Sequence, residues 1–230
     1  MAAIILCIRD IAVTSIGDDP YSKCHQNLAR SESAWRIITV APADHHDDPV
    51  PGIELPPPVG GWPCIVDIEA SSLGDDSYPI DIAWLEADGR VLSHLIRPSW
   101  SWTDWSPKSA AIHGIDREDL SNQGVDPAPL CRMLTAAWDG RTVLSDAPVW
   151  DSQWLERLWH AGARGSMPWV VGDLDAWLYL HLRGRFADPH ARQQHLRACQ
   201  AIAKQVCPPL HRAAADVRHL ARYCQEVLKP

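Results

Sequence analysis

The sequence predicts an α/β domain in which a mixed five-stranded sheet is flanked by helices. Two patterns predict it. Apolar, β-prone runs follow one another near 63–69, 78–86 and 90–97, and the last two are joined by Ala87-Asp88-Gly89-Arg90, whose Asp-Gly pair is a hairpin signal. Helical periodicity then alternates with short β-prone runs to the C-terminus, an order that adds later strands through helical connections.

Taken in order, the first run is Cys64-Ile65-Val66-Asp67-Ile68-Glu69-Ala70, a buried-strand composition interrupted by two acids. Helices are predicted near 107–113 and 127–138, a strand near 142–145, a helix from 151, a short strand at Trp169-Val170-Val171, and helices from about 174 to the end. Residues 1–60 lack sustained periodicity and end in a run rich in Pro and Gly. They are expected to form a poorly ordered N-terminal extension and linker, leaving 61–230 as the folded domain. About 170 residues suffice for a sizeable core, and a 46% hydrophobic content is that of a globular chain.

The 7 cysteines are odd in number and contain no CxxC pair, which argues against a zinc ribbon or a disulfide framework. The apolar stretch from Ala2 to Ile8 is too short for a membrane span and has no basic lead-in, so no membrane association and a reducing cytoplasm are expected. The net charge of −8 looks wrong for a nucleic-acid binder, but it is unevenly spread. Residues 183–230 carry 9 basic against 3 acidic residues and would offer a phosphate backbone a positive face. A solvated helical surface explains any single one of those arginines equally well.

Five polar residues carry the chemistry. Side chains alternate along a strand, so Asp67 and Glu69 point to one face. Two adjacent carboxylates are costly unless protons or cations neutralise them, and hard divalent cations do so through oxygen. An exposed edge strand with a solvated acidic face is the bland alternative. Asp151 opens a helix, where a carboxylate commonly caps backbone N–H groups. Near the C-terminus, Pro208-Pro209-Leu210-His211 precedes an Ala-rich run containing Asp216. A five-residue separation turns about 140° around a helix. His211 and Asp216 therefore meet only if His211 sits on the preceding turn.

In this order, Asp67-x-Glu69, Trp150-Asp151 and His211-x4-Asp216 resemble the motifs of the DEDDh 3′-to-5′ exonucleases, which include polymerase proofreading subunits, oligoribonuclease and ribonuclease T. Pro79-Ile80-Asp81-Ile82-Ala83-Trp84 looks like that family's second strand and Ala111-Ile112-His113-Gly114-Ile115 like its His-Gly-Ile turn, so the resemblance runs from about Cys64 to Tyr223. It implies a ribonuclease H-like fold and a metal-dependent 3′-to-5′ exonuclease acting on single-stranded DNA or RNA ends. It further implies two Mg2+ or Mn2+ ions held by Asp67, Glu69, Asp151 and Asp216, with Asp67 bridging and His211 as general base. Ala70 and Ser71 would offer backbone groups to the terminal nucleotide, Leu73 would wedge against its base, and His113 would join the substrate contacts.

The chain departs from the pattern twice. Ser72 stands where the family often has glycine, so the bend before Leu73 must be made without glycine's freedom. The segment Ser145-Asp146-Ala147-Pro148-Val149-Trp150-Asp151 is one residue longer than usual and makes Asp146 a rival ligand, with Asp151 preferred because it follows the aromatic residue. Trp100, Trp102 and Trp105 are expected to pack as core beneath their loop, base stacking being the alternative. Two other functions compete with the nuclease. One is a catalytically weak module of the same fold that binds nucleic acid or a polymerase; the other is a structural metal-binding protein, which would fold only with its ion.

Overall fold

The first run forms β1 (Cys64–Ala70), buried along its whole length as its β-branched and apolar composition requires. The computed structural model describes residues 62–229, and the extension and linker expected over 1–60 lie outside the described residues. β1 pairs antiparallel with β2 (Pro79–Leu85), which pairs antiparallel with β3 (Val91–Leu95). On its other side β1 runs parallel to β4 (Val143–Ser145), and β4 runs parallel to β5 (Val171–Asp173). The sheet order β3-β2-β1-β4-β5 makes β1 the central strand, which removes the exposed-edge reading of Asp67 and Glu69. The hairpin closes where expected: the Glu86 N–H donates to the Arg90 carbonyl at 2.7 Å, and Gly89 takes the positive φ, 93°, that its turn needs.

The described helices are α1 (Pro107–His113), α2 (Arg117–Gln123), α3 (Pro127–Trp138), α4 (Pro148–Gly162), α5 (Leu174–His181), α6 (Pro189–Val206) and α7 (Ala213–Leu228), with a 3-10 turn at Leu182–Gly184. α1 and α3 have their predicted bounds, each opened by proline in the first turn, where a missing N–H costs nothing. α2 went unpredicted because only Leu120 among its seven residues is buried, too little for a periodic signal. α4 begins at Pro148 and not at 151, so Asp151 lies inside the first turn and does not occupy the N-cap position. β5 lies two residues beyond its expected place, because Asp173 ends the strand and caps α5 by accepting the Ala176 N–H at 2.7 Å.

α7 packs on β1, β2 and β3, and α6 packs on α7. The resulting core joins Ile65 of β1 and Ala83 and Leu85 of β2 to Val217, Leu220, Tyr223 and Val227 of α7. By strand alternation Asp67 and Glu69 share the face of Ile65, and Asp81 shares the face of Ala83. Three acids thus stand on the α7 side of the sheet. Among the described residues no helix is long and apolar enough to cross a membrane.

Candidate active site

Asp67 and Glu69 are 5% and 2% exposed, on the central strand. Across the β1–β2 ladder Glu69 stands directly opposite Asp81, and the register slips between Glu69 and Ala70. The irregularity bends the chain after Glu69. Ser72 accepts the Gly74 N–H on its Oγ at 2.9 Å, and the loop is formed without a left-handed residue. The absence of the family's glycine is thereby accommodated locally.

The third motif closes over this face. Asp216, 1% exposed, sits in the first turn of α7, and its Oδ1 accepts the Leu210 N–H at 2.8 Å. Next to Leu210, His211 adopts a left-handed conformation with φ 57°, the one positive φ at a non-glycine among the described residues. That region is uncommon for a side-chain-bearing residue and costs roughly 1–2 kcal/mol. This kink answers the helical-wheel objection: His211 leaves the helix path, and ligand atoms of Glu69, His211 and Asp216 all lie within 4.8 Å of one another. On the far side of His211, Asp81 Oδ2 accepts from Arg212 Nε at 3.1 Å and from the Ala213 N–H at 3.4 Å.

Asp151 arrives from α4 and is 2% exposed. Its carboxylate accepts a hydrogen bond from Ser145 Oγ, which in turn accepts the Ala147 N–H at 2.8 Å. Ser145 ends β4, the parallel neighbour of β1, so Asp151 is held at the strand ends where the other motifs converge. Asp67 and Asp151 are not members of the close group formed by Glu69, His211 and Asp216. Asp146 follows Ser145 directly and is half-buried; its charge adds a minor upward push to the pKa of Asp175 at the start of α5, which is raised chiefly by burial and which accepts a hydrogen bond from Tyr223 Oη at 2.8 Å.

The expected substrate contacts are distributed as follows. Ala70 and Ser71 are buried and Leu73 is half-buried, at the end of β1 and the start of its loop. The Ser71 N–H donates to the Tyr78 carbonyl and the Ser71 carbonyl accepts the Ser106 N–H, so the Ser71 amide is already spent. His113, 3% exposed, accepts the Ile115 N–H on Nδ1 at 3.1 Å. Burial first, and then the positive Arg212 nearby, lower its pKa to about 4, so the imidazole is neutral. Its Nε2 has no hydrogen-bond partner among the described residues and is left as a donor.

The tryptophans divide. Trp102 is core, stacked on Tyr78 with centroids 5.2 Å apart, and Trp105 packs edge-on against His113. Trp100 contradicts the expectation: it is 94% exposed. Two residues on, the Trp102 carbonyl accepts from Arg117 at 2.8 Å, which braces the loop beside the exposed indole. It borders an open cleft of about 1080 Å3 shared with Asp104 and with Glu156, Arg157 and His160 of α4. Composition alone did not separate the three tryptophans, since all lie within six residues of one loop.

The basic C-terminal segment is only partly available to a ligand. Arg212 pairs with Asp81, Arg222 and Lys229 pair with Glu226, and Arg192 is buried over the Tyr179 ring. Arg183, Arg197 and Lys204 remain exposed.

No known family model matches the sequence, and no curated protein matches it either. Solved structures do. The chain is similar to exonuclease I from Methylocaldum szegediense, with TM-score 0.51 and 15% identity over 70% of this chain and 39% of that one. It is also similar to the RNase domain of the yeast Pop2 protein, with TM-score 0.50 and 14% identity over 73% of this chain and 77% of that one. The chain therefore has the ribonuclease H-like fold of these structures. It spans about two fifths of the length of the exonuclease I it matches.

Proposed function

We propose that this protein is a metal-dependent 3′-to-5′ exonuclease that hydrolyses phosphodiester bonds at single-stranded nucleic-acid ends. The observation that carries the reading is the convergence of Glu69, His211 and Asp216, from a central strand and a strained turn far apart in sequence, to within 4.8 Å. A left-handed histidine beside two buried acids is an expensive arrangement with no evident benefit to packing. Four carboxylates, none more than 5% exposed, present hard oxygen donors suited to Mg2+ or Mn2+. When bound, two such ions would acidify a water and offset the charge that builds on the phosphoryl oxygens.

The chain's own residues supply the rest. Asp67, Glu69, Asp151 and Asp216 would hold the ions, with Ser145 orienting Asp151 and the Leu210 N–H orienting Asp216. His211 would take the proton of the attacking water at a ring nitrogen, the general-base role that an imidazole commonly fills. Neutral His113 would donate from Nε2 to the terminal nucleotide, and Leu73 would lie against its base. The exposed Trp100 favours bases that are not paired, because an indole face can stack only on a base released from a duplex.

The test is a gel assay with 5′-labelled single-stranded DNA and RNA of equal sequence, with Mg2+, Mn2+ or chelator, beside Asp67→Ala. A metal-dependent ladder shortening from the 3′ end and absent in the variant is the expected result. Intact substrates under every condition would sink the nuclease and leave the binding module of the same fold.

A further inference from the structure

We infer that Asp81 is a positioning residue for His211: a buried carboxylate on β2 that reaches across to the turn after His211 and holds it in its strained conformation. The inference rests on the nuclease reading for its catalytic consequence, but the clamp itself is a matter of structure.

Asp81 is 1% exposed, in the middle of a strand whose neighbours are apolar. A buried carboxylate there costs several kcal/mol unless it is paired and hydrogen-bonded. Two of its hydrogen bonds converge on one place: Oδ2 accepts Arg212 Nε at 3.1 Å and the Ala213 N–H at 3.4 Å. These are the two residues that follow His211. Ala213 is the first residue of α7, and the N-cap residue Arg212 makes no side-chain cap of its own. One of the unsatisfied N–H groups of the first turn of α7 is thus met by a residue 132 positions earlier in the chain.

On the other side of His211 the Leu210 N–H is held by Asp216 at 2.8 Å, and further back the Cys207 carbonyl lies 2.6 Å from His219 Nδ1. The chain is therefore fastened immediately before and immediately after the left-handed His211. Cutting either fastening lets His211 relax toward an ordinary φ, because the left-handed region is disfavoured by itself. Asp81 stands directly opposite Glu69 in the ladder, so the fastening is referenced to the same strand pair that carries the first motif. A histidine that acts on a water needs this precision, since a displacement of about 1 Å can cost roughly 100-fold in rate.

The experiment uses the full chain and three variants, Arg212→Gln, Asp81→Asn and His211→Ala, singly and with Arg212→Gln or Asp81→Asn combined with His211→Ala. Amide hydrogen exchange is measured first, on metal-free protein, and needs no activity. Release of the clamp predicts at least 10-fold faster exchange at Leu210 and Ala213 in Arg212→Gln and Asp81→Asn, with the middle of α7 unchanged. Unchanged exchange at those two amides overturns the clamp, and acceleration along the whole of α7 assigns Asp81 to general stability. Turnover is read second. Arg212→Gln should lower kcat about 10- to 100-fold with little change in KM, and should lower it no further once His211 is alanine. Losses that multiply in the double variant overturn the positioning role. Wild-type protein that cleaves nothing while the exchange result holds refutes the nuclease reading and with it the positioning of a base, and leaves the clamp as architecture alone. Arg212→Gln, at a half-buried surface position, keeps the test open should Asp81→Asn fail to fold.

Discussion

His211 concentrates the chemistry of this molecule in one residue, since its backbone is left-handed and its ring stands among buried carboxylates. Replacing it with alanine should reduce turnover by about 10²–10⁴-fold while leaving metal binding largely intact; kcat measured at saturating metal, with metal affinity from calorimetry, checks this, and an unchanged rate would remove His211 from the mechanism. His113 makes a separate prediction about stability. Its folded pKa, lowered by burial and then by Arg212 to about 4, lies below the ordinary histidine value, so between the two the unfolded chain binds a proton that the folded one does not. Stability is then full above about pH 6.5 and falls as pH drops toward 4, by on the order of 3 kcal/mol. Denaturant melts across that range should show the fall, and His113→Gln should flatten it. At Trp100, alanine should raise KM for single strands about 5- to 100-fold with kcat little changed, the worth of one stacked base. An unaltered KM would return this tryptophan to the status of an isolated surface residue.

Elements set these residues in place through close approaches. α3 and α4 meet at Gly162, where an added Cβ would lie 2.4 Å from the Pro127 carbonyl oxygen and 2.8 Å from Cys131 Sγ. Gly162→Ala should therefore push α4 away from α3 and cost about 1–3 kcal/mol. Since α4 carries Asp151, turnover should fall along with the melting temperature; a variant as stable and active as the parent would show that the helices slide freely. α7 exerts the opposite kind of control. Its interior face fills the core while its first turn delivers Asp216 and, just before it, His211. A helix anchored by Val217, Leu220 and Tyr223 presents its N-terminus to β1 with little freedom to drift.

For the whole molecule the decisive property is a set of like charges buried at one end of a sheet. Such a set opposes folding until cations enter, yet the surrounding core is apolar and does not depend on them. The protein is expected to fold with chelator present and to melt at a higher temperature with Mg2+ or Mn2+, while cleavage requires the ion. A thermal melt with and without chelator separates this from a structural metal protein, which would be unfolded without metal.

Much of this was legible in the sequence because the signals are local. Period-two alternation placed Asp67 and Glu69 on one face, the Asp-Gly turn marked the β2–β3 hairpin, and prolines bounded α1 and α3. The order of the motifs carried the fold. What only the tertiary structure decided involves contacts between distant segments or a backbone angle that composition does not encode. That β1 is central, that Asp151 is held by Ser145, that Trp100 is exposed while Trp102 is core, and that Asp81 fastens the turn after His211 each depend on which elements pack together. A single chain states which groups it possesses, whereas the energy of burying them is settled by neighbours brought from a hundred residues away, and that is why the site's residues were readable before its geometry was.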